Sequence, residues 1–222
     1  MVKPTWRDVQ FVAIGEKEIV QRANGIRAAR SETNRQYRLA KLAAIAAGNG
    51  KLPTHRQYPV ILADVPWSYE HHSSHRGGVE NHYPVLSLDQ ICNLPITKLA
   101  TKDALLLLWA TCPKLAEAMR VIECWGFTYR TGLVWVKTGI GTGLWVRGAF
   151  EHLLLATRGN FPIPSPADRP RNVLVVPRQK HSQKPVEVYE LIEKMTGNLP
   201  RIELFGRSRR KGWEVFGNQV GI

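Results

Sequence analysis

Only three cysteines occur in the 222 residues, Cys92, Cys112 and Cys124, and no two of them stand in C-x-x-C spacing. An odd, scattered set excludes a disulfide framework and a structural zinc site, and it points to a reducing, intracellular compartment. Long apolar runs are missing too. None reaches the roughly 20 residues that a bilayer-crossing helix needs, and the start, Met1-Val2-Lys3-Pro4, has no apolar signal core. With no amphipathic anchor or lipidation site either, a membrane partner is not expected. Internal repeats are absent. Acidic residues are scarce: 18 Asp and Glu stand against 31 Lys and Arg, a formal net charge of +13. That imbalance favours a polyanionic partner, of which nucleic acid is the commonest. The hydrophobic content of 44% is enough for a real core, which excludes global disorder.

Residues 16–47 read as one long polar helix, free of proline and rich in Ala, Arg, Glu and Lys. Arg27, Arg30, Arg35, Arg38 and Lys41 make it basic. It is either a solvated helix at a domain edge or an arm that grips nucleic acid. Gly48-Asn49-Gly50-Lys51-Leu52-Pro53 stops it. The chain thus divides into a helical extension with its linker, residues 1–57, and a main domain, residues 58–222. In the main domain apolar runs alternate with helical spacing. Strands are predicted at Pro59–Ala63, Ala104–Trp109, Leu133–Val136, Leu153–Ala156, Val173–Val176 and Ile202–Phe205. Helices are predicted at Pro113–Trp125, capped by Gly126, and at Pro185–Met195, ended by Gly197. The proline-rich segment Phe161–Pro170 reads as a loop. Such β/α alternation implies a mostly parallel, doubly wound sheet.

Ligands of such sheets bind beyond the carboxyl ends of the strands. The first predicted strand runs into Asp64-Val65-Pro66-Trp67. Pro66 stiffens the turn and restricts Val65. A carboxylate, a backbone carbonyl and an aromatic face then stand close together. Asp64 and the Val65 carbonyl can accept the two hydrogens of an exocyclic amine, and Trp67 can stack on a flat ring. Acceptors that draw such an amine out of conjugation favour the transition state over the ground state. The same residues also suit an ordinary Asp-Pro-type turn over a buried tryptophan. The last predicted strand gives Glu203-Leu204-Phe205-Gly206-Arg207, where an acid and a glycine suit a nucleoside-bearing cofactor. Asn218-Gln219 adds amides near the chain end. His181-Ser182-Gln183-Lys184-Pro185 opens a helix whose N-terminus, with Lys184, favours anionic or acceptor groups, or simply caps. His71, His72 and His75 lie in the loop 69–83, but no carboxylate or cysteine cluster completes a metal site with them, and none is expected.

Taken in order, these words closely resemble the adenine-N6 methyltransferase family of the messenger-RNA adenosine methyltransferase catalytic subunit, which has bacterial and phage DNA-modifying relatives. The resemblance covers roughly residues 58 to 222. It rests on Pro59–Trp67, Leu107-Leu108-Trp109, Val134-Trp135-Val136-Lys137-Thr138, Glu151-His152, Lys184-Pro185, Ile202–Arg207 and Gly217-Asn218-Gln219. It implies a permuted, Rossmann-like fold dependent on S-adenosylmethionine, with the catalytic motif ahead of the cofactor strand. By the family pattern Asp64, Val65, Pro66 and Trp67 form the catalytic loop, and Asp64 also meets the cofactor's amino-acid end. Glu203, Phe205, Gly206, Arg207, Asn218, Gln219 and Lys184 match the cofactor pocket. Tyr83, Glu151 and Lys184 match positions near the target adenine. The family's usual Asp-Pro-Pro-Trp has Val65 in place of its first proline, which keeps the carbonyl and loses some rigidity. After Gly206-Arg207 comes the basic pair Arg209-Arg210, suited to cofactor or to phosphate. The expected partner is nucleic acid, DNA favoured over RNA by likeness to the DNA-modifying relatives. The expected setting is cytoplasmic, and the expected assembly a monomer or homodimer.

Overall fold

The computed structural model describes residues 15, 18–34, 36, 52–53, 55–69, 85–139, 141, 145–178 and 183–217. Tyr83, Asn218, Gln219, His181, the histidines of the 69–83 loop and Arg35, Arg38 and Lys41 lie outside them. The chain divides into two units, Met1–Ala44 and Ile45–Ile222.

The described part of the first unit is helix α1, residues 18–34. Almost every residue along it is exposed, Ile19, Val20 and Ile26 included. Its support is local. The Thr33 hydroxyl donates to the Ala29 carbonyl at 2.9 Å, and Gln36 donates to Glu32 at 2.7 Å, both one turn apart.

The second unit is a seven-stranded sheet in the order β5-β3-β4-β2-β1-β6-β7. Its strands are β1 (Tyr58–Ala63), β2 (Ala100–Ala110), β3 (Thr128–Val136), β4 (Phe150–Arg158), β5 (Val173–Val175), β6 (Arg201–Leu204) and β7 (Trp213–Phe216). All run the same way except β4, which is antiparallel to both β2 and β3. Side chains alternate along β1 and β2, and both faces are covered, which is why these strands read as unbroken apolar runs. Ile61, Ala63, Leu106 and Leu108 pack under α2 (Leu88–Cys92), α3 (Ile96–Leu99) and α4 (Leu115–Cys124). Val60, Leu62, Leu105 and Leu107 pack on the other face with Val188 and Ile192 of α5 (Val186–Thr196). The fold is therefore the mostly parallel, doubly wound α/β architecture, with helices on both faces of the sheet.

Three differences from the sequence reading have physical reasons. The predicted strand at Leu133–Val136 extends back to Thr128, because its exposed polar start carries no apolar signal. The predicted last strand stops at Leu204, since Phe205 takes a positive φ of 63°. The short helix α2 was not predicted, although Ser87 and Gln90 form a reciprocal capping box that marks its start. The reversal of β4 follows from its connection. Parallel neighbours need a crossover, usually helical. The described residues between Lys137 and Ala149 contain no helix, and Gly141 lies so close to Gly148 that a Cβ there would sit 2.0 Å from the Gly148 carbonyl oxygen. The chain folds back on itself and returns beside the strand it left.

Candidate active site

The strand directions decide which residues meet. The carboxyl ends of β1, β2, β3 and β6 share one edge of the sheet, and the reversed β4 begins there. His152 stands opposite Ala110, and Glu151 opposite Trp135.

The turn after β1 is pinned on both sides. The Asp64 amide donates to the Leu204 carbonyl at 3.2 Å, and the Trp67 amide donates to the Val65 carbonyl at 2.9 Å. The Leu86 amide donates to the Pro66 carbonyl at 3.0 Å. Trp67 is only 6% exposed, and its indole N–H donates to the Trp109 carbonyl at 3.2 Å. With so little of its ring facing solvent, Trp67 anchors the turn. A carbonyl oxygen has two lone pairs, and among the described residues the Val65 oxygen accepts one backbone hydrogen bond, from Trp67.

Beside this turn runs a row of four alternating charges. The Lys184 ammonium lies 2.9 Å from an Asp64 oxygen and 2.9 Å from a Glu151 oxygen. The other Glu151 oxygen is bonded by Lys137. All four side chains are largely buried. Trp109 and Trp135 form the floor, edge to face at 6.1 Å. Lys184 stands over the Trp109 ring and Lys137 over the Trp135 ring, at 5.1 and 4.7 Å. Burial works against the charge of Lys184, but Asp64 and Glu151 outweigh it and hold the ammonium up at about 12. Burial likewise opposes the charge of Glu151, and Lys184 and Lys137 overcome it, so that its carboxyl titrates below the usual range. Each charge in the row thus has an opposite neighbour.

Glu203 has a different setting. It is 5% exposed on β6, the strand next to β1, and one oxygen accepts the Tyr189 hydroxyl at 2.8 Å. Burial pushes its carboxyl up to about 7, only partly offset by the Tyr189 hydrogen bond, while Asp64 pushes the same way. Arg207 pulls against that rise, so its charge lies within reach. Gly206 and Gly217 close this corner. A Cβ on Gly206 would fall 2.6 Å from Val215 and 2.9 Å from the Glu203 carboxylate, and one on Gly217 would fall 2.0 Å from the Gly206 carbonyl. Phe205 holds its unusual backbone through a hydrogen bond from its amide to the Phe216 carbonyl, and its ring meets Phe216 edge to face.

Asp64, Glu151 and Lys184 thus meet directly, and Glu203 with Arg207 lies close enough for its charge to feel Asp64. Lys137, Trp109 and Tyr189 were not assigned roles from the sequence. Lys137 and Trp109 sit inside motif words and could have been found there, whereas nothing in the spacing pairs Tyr189 with Glu203. Arg210, offered as a cofactor or phosphate contact, is instead held by Glu193 through two bonds at 2.8 and 3.2 Å. A cavity of about 340 Å³ on the α5 face is lined by Leu105, Leu107, Leu133, Leu191 and Met195. No member of the charged row lines it, and the polar groups at its wall are Arg130, Arg169, Arg171, Asn172 and two threonines, with no carboxylate among them.

The MT-A70 family model matches residues 58–219. The type II methyltransferase M.MunI of Mycoplasma sp is 31% identical over 183 residues, covering 74% of this chain and 78% of that protein. The N(6)-adenosine-methyltransferase catalytic subunit METTL3 of Homo sapiens is 29% identical over 174 residues, covering 74% of this chain and 28% of its own length. An MT-A70-like N(6)-adenosine-methyltransferase of Arabidopsis thaliana is 28% identical over 173 residues, covering 73% and 24%. The chain therefore spans about a quarter of the human and plant relatives.

Proposed function

The chain belongs to the MT-A70 family, and on that premise we propose that it transfers a methyl group from S-adenosylmethionine to the exocyclic N6 amine of adenine in DNA. The observation that carries this reading is the Asp64 carboxylate, held 2.9 Å from Lys184 on the turn whose Val65 carbonyl accepts the Trp67 amide.

The residues present fit the cofactor. S-adenosylmethionine ends in an ammonium and a carboxylate, and Asp64 and Lys184 offer the matching charges side by side. Its ribose hydroxyls suit the buried Glu203 carboxylate, and Gly206 and Gly217 leave the backbone bare where a side chain would collide. Phe205, Arg207, Asn218 and Gln219 complete this proposed pocket. The cofactor supplies an electrophilic methyl group. The protein does the rest. Asp64 and the Val65 carbonyl accept the two amine hydrogens, which draws the nitrogen lone pair out of the ring. Pro66 and Trp67 keep that turn rigid. Asp64 is also available to take the proton the amine sheds. Glu151, Lys184 and Tyr83 are proposed to hold the base. Because the acceptors are already in place, little reorganisation remains for the reaction itself. In duplex DNA the base must first leave the stack, at a cost of roughly a few kcal/mol.

DNA is preferred to RNA because a relative matched over 78% of its own length is a type II methyltransferase, in keeping with the DNA-modifying branch. The test is radiolabelled methyl transfer onto single-stranded DNA, duplex DNA and RNA, followed by mass spectrometry of the labelled base. The expected product is N6-methyladenine in DNA. Label in RNA alone would move the substrate, and label on another base would overturn the adenine assignment.

A further inference from the structure

Six tryptophans fall among the described residues, and five of them, Trp67, Trp109, Trp125, Trp135 and Trp213, are at most 8% exposed. The sixth, Trp145, is 98% exposed, and Val146 beside it is 78% exposed. A whole indole left in water forfeits the burial that tryptophan side chains ordinarily gain.

Its position is tied to the charged row. Trp145 lies in the connection between Lys137 and Glu151, the two residues that are ion-paired at the sheet edge. The base of this connection is closed by the Lys137 amide donating to the Ala149 carbonyl at 2.7 Å. One step further out, Gly141 and Gly148 press together, and Arg147 donates to the Gly141 carbonyl at 3.2 Å. The Arg178 guanidinium reaches the same neck, 3.5 Å from where a Gly141 Cβ would stand. Trp145 and Val146 thus stand exposed in a connection whose neck is met by the exposed Arg147 and Arg178.

We propose that Trp145 stacks on a nucleic-acid base next to the target, with Arg147 and Arg178 on the flanking phosphates. This rests on the nucleic-acid reading above. An aromatic face is sequence-tolerant, because every base has a π-face, and it also substitutes for the stacking a neighbour loses when the target base leaves the helix. The guanidinium groups of Arg147 and Arg178 at the neck of the same connection supply phosphate contacts. A protein partner would also cover an indole. The cationic flanks and the +13 charge of the chain favour a polyanion instead.

The test measures binding of fluorescently labelled single-stranded and duplex oligonucleotides by anisotropy, and steady-state turnover on the same strands. Wild type is compared with Trp145→Ala and Trp145→Phe. Trp145→Ala is expected to weaken binding about tenfold or more, and to raise the oligonucleotide KM by a similar factor at near-constant kcat. Trp145→Phe is expected to restore most of the loss. Melting temperature and S-adenosylmethionine affinity should not move, since the ring packs on nothing. Equal affinity of wild type and Trp145→Ala would overturn the inference. So would a wild-type dimer in sedimentation that Trp145→Ala dissociates. If wild type binds neither polymer, this inference and the nucleic-acid reading fall together. If wild type binds but transfers no methyl group, the affinity comparison still decides the role of Trp145, and the proposed reaction alone is rejected.

Discussion

Asp64 and Glu203 are carboxylates at the ends of two neighbouring strands, yet they are stabilised in opposite ways. Asp64 belongs to a row in which every charge touches its opposite, Lys137 to Glu151 to Lys184 to Asp64. Glu203 is buried at least as deeply, but its hydrogen-bond donor is a neutral phenol, Tyr189. The first arrangement favours the charged forms of Lys184 and Glu151. The second leaves a carboxyl that titrates at about 7. Burial alone does not decide the protonation of a group, and the charge of the nearest partner does. At this edge of the sheet an ion-paired carboxylate thus neighbours one that titrates at about 7.

The strongest way to break this comparison is to remove the cation that joins the row. Lys184→Met keeps most of the side-chain volume but leaves the buried Asp64 and Glu151 carboxylates without the cation between them. It is expected to cost about 3–5 kcal/mol of stability, a fall of roughly 10 °C in melting temperature for a chain of this length, and to abolish turnover. A melting temperature within a degree or two of wild type would show that the row is not a stabilising unit.

Next comes Asp64→Asn, which removes an acceptor's charge and keeps its shape. Methyl transfer in single turnover should fall about 10²–10³-fold, in the range seen when a preorganised electrostatic group is lost, with far-UV circular dichroism unchanged. Wild-type turnover in this variant would take the chemistry away from the turn.

Glu203→Gln sharpens the contrast through pH. The native carboxyl titrates at about 7 and the unfolded one near 4.5, so the native state keeps a proton that the unfolded state releases. Its contribution is fully present below pH 4.5 and is lost as the pH rises through 7. Urea titrations should therefore show wild type losing stability between about pH 5 and 7.5 relative to Glu203→Gln, by an amount on the order of a few kcal/mol. Parallel curves for the two proteins would remove the protonatable acid from this corner.

The smallest effect is expected far from the row. Arg27→Ala with Arg30→Ala, on the exposed α1, should weaken DNA binding modestly and lower the dependence of log affinity on log salt by roughly two. An unchanged slope would make α1 a merely solvated helix.

Much of this was legible in the chain itself. Unbroken apolar runs in β1 and β2 announced strands covered on both faces, and β/α alternation announced the doubly wound sheet. Asp64-Val65-Pro66-Trp67 and Glu203–Arg207 could be found because strand ends and turn chemistry leave local marks. The word order from Pro59 to Gln219 carried the family resemblance, and the MT-A70 match over residues 58–219 bears it out.

Other features depended on long-range geometry. Glu151 reaches Lys184 because β4 runs against its neighbours, and strand direction leaves no trace in hydrophobic alternation. Trp67 could be read as a stacking face, but its hydrogen bond to the Trp109 carbonyl, 42 residues away, buries it as an anchor. The high titration point of Glu203 arises from its burial on β6 against Tyr189 of α5. Sequence by itself determined which residues could carry the chemistry, because residue type and local turn preference are short-range properties. Only the tertiary structure decided which of them face each other, because pairing, burial and charge all depend on distances between segments far apart in the chain.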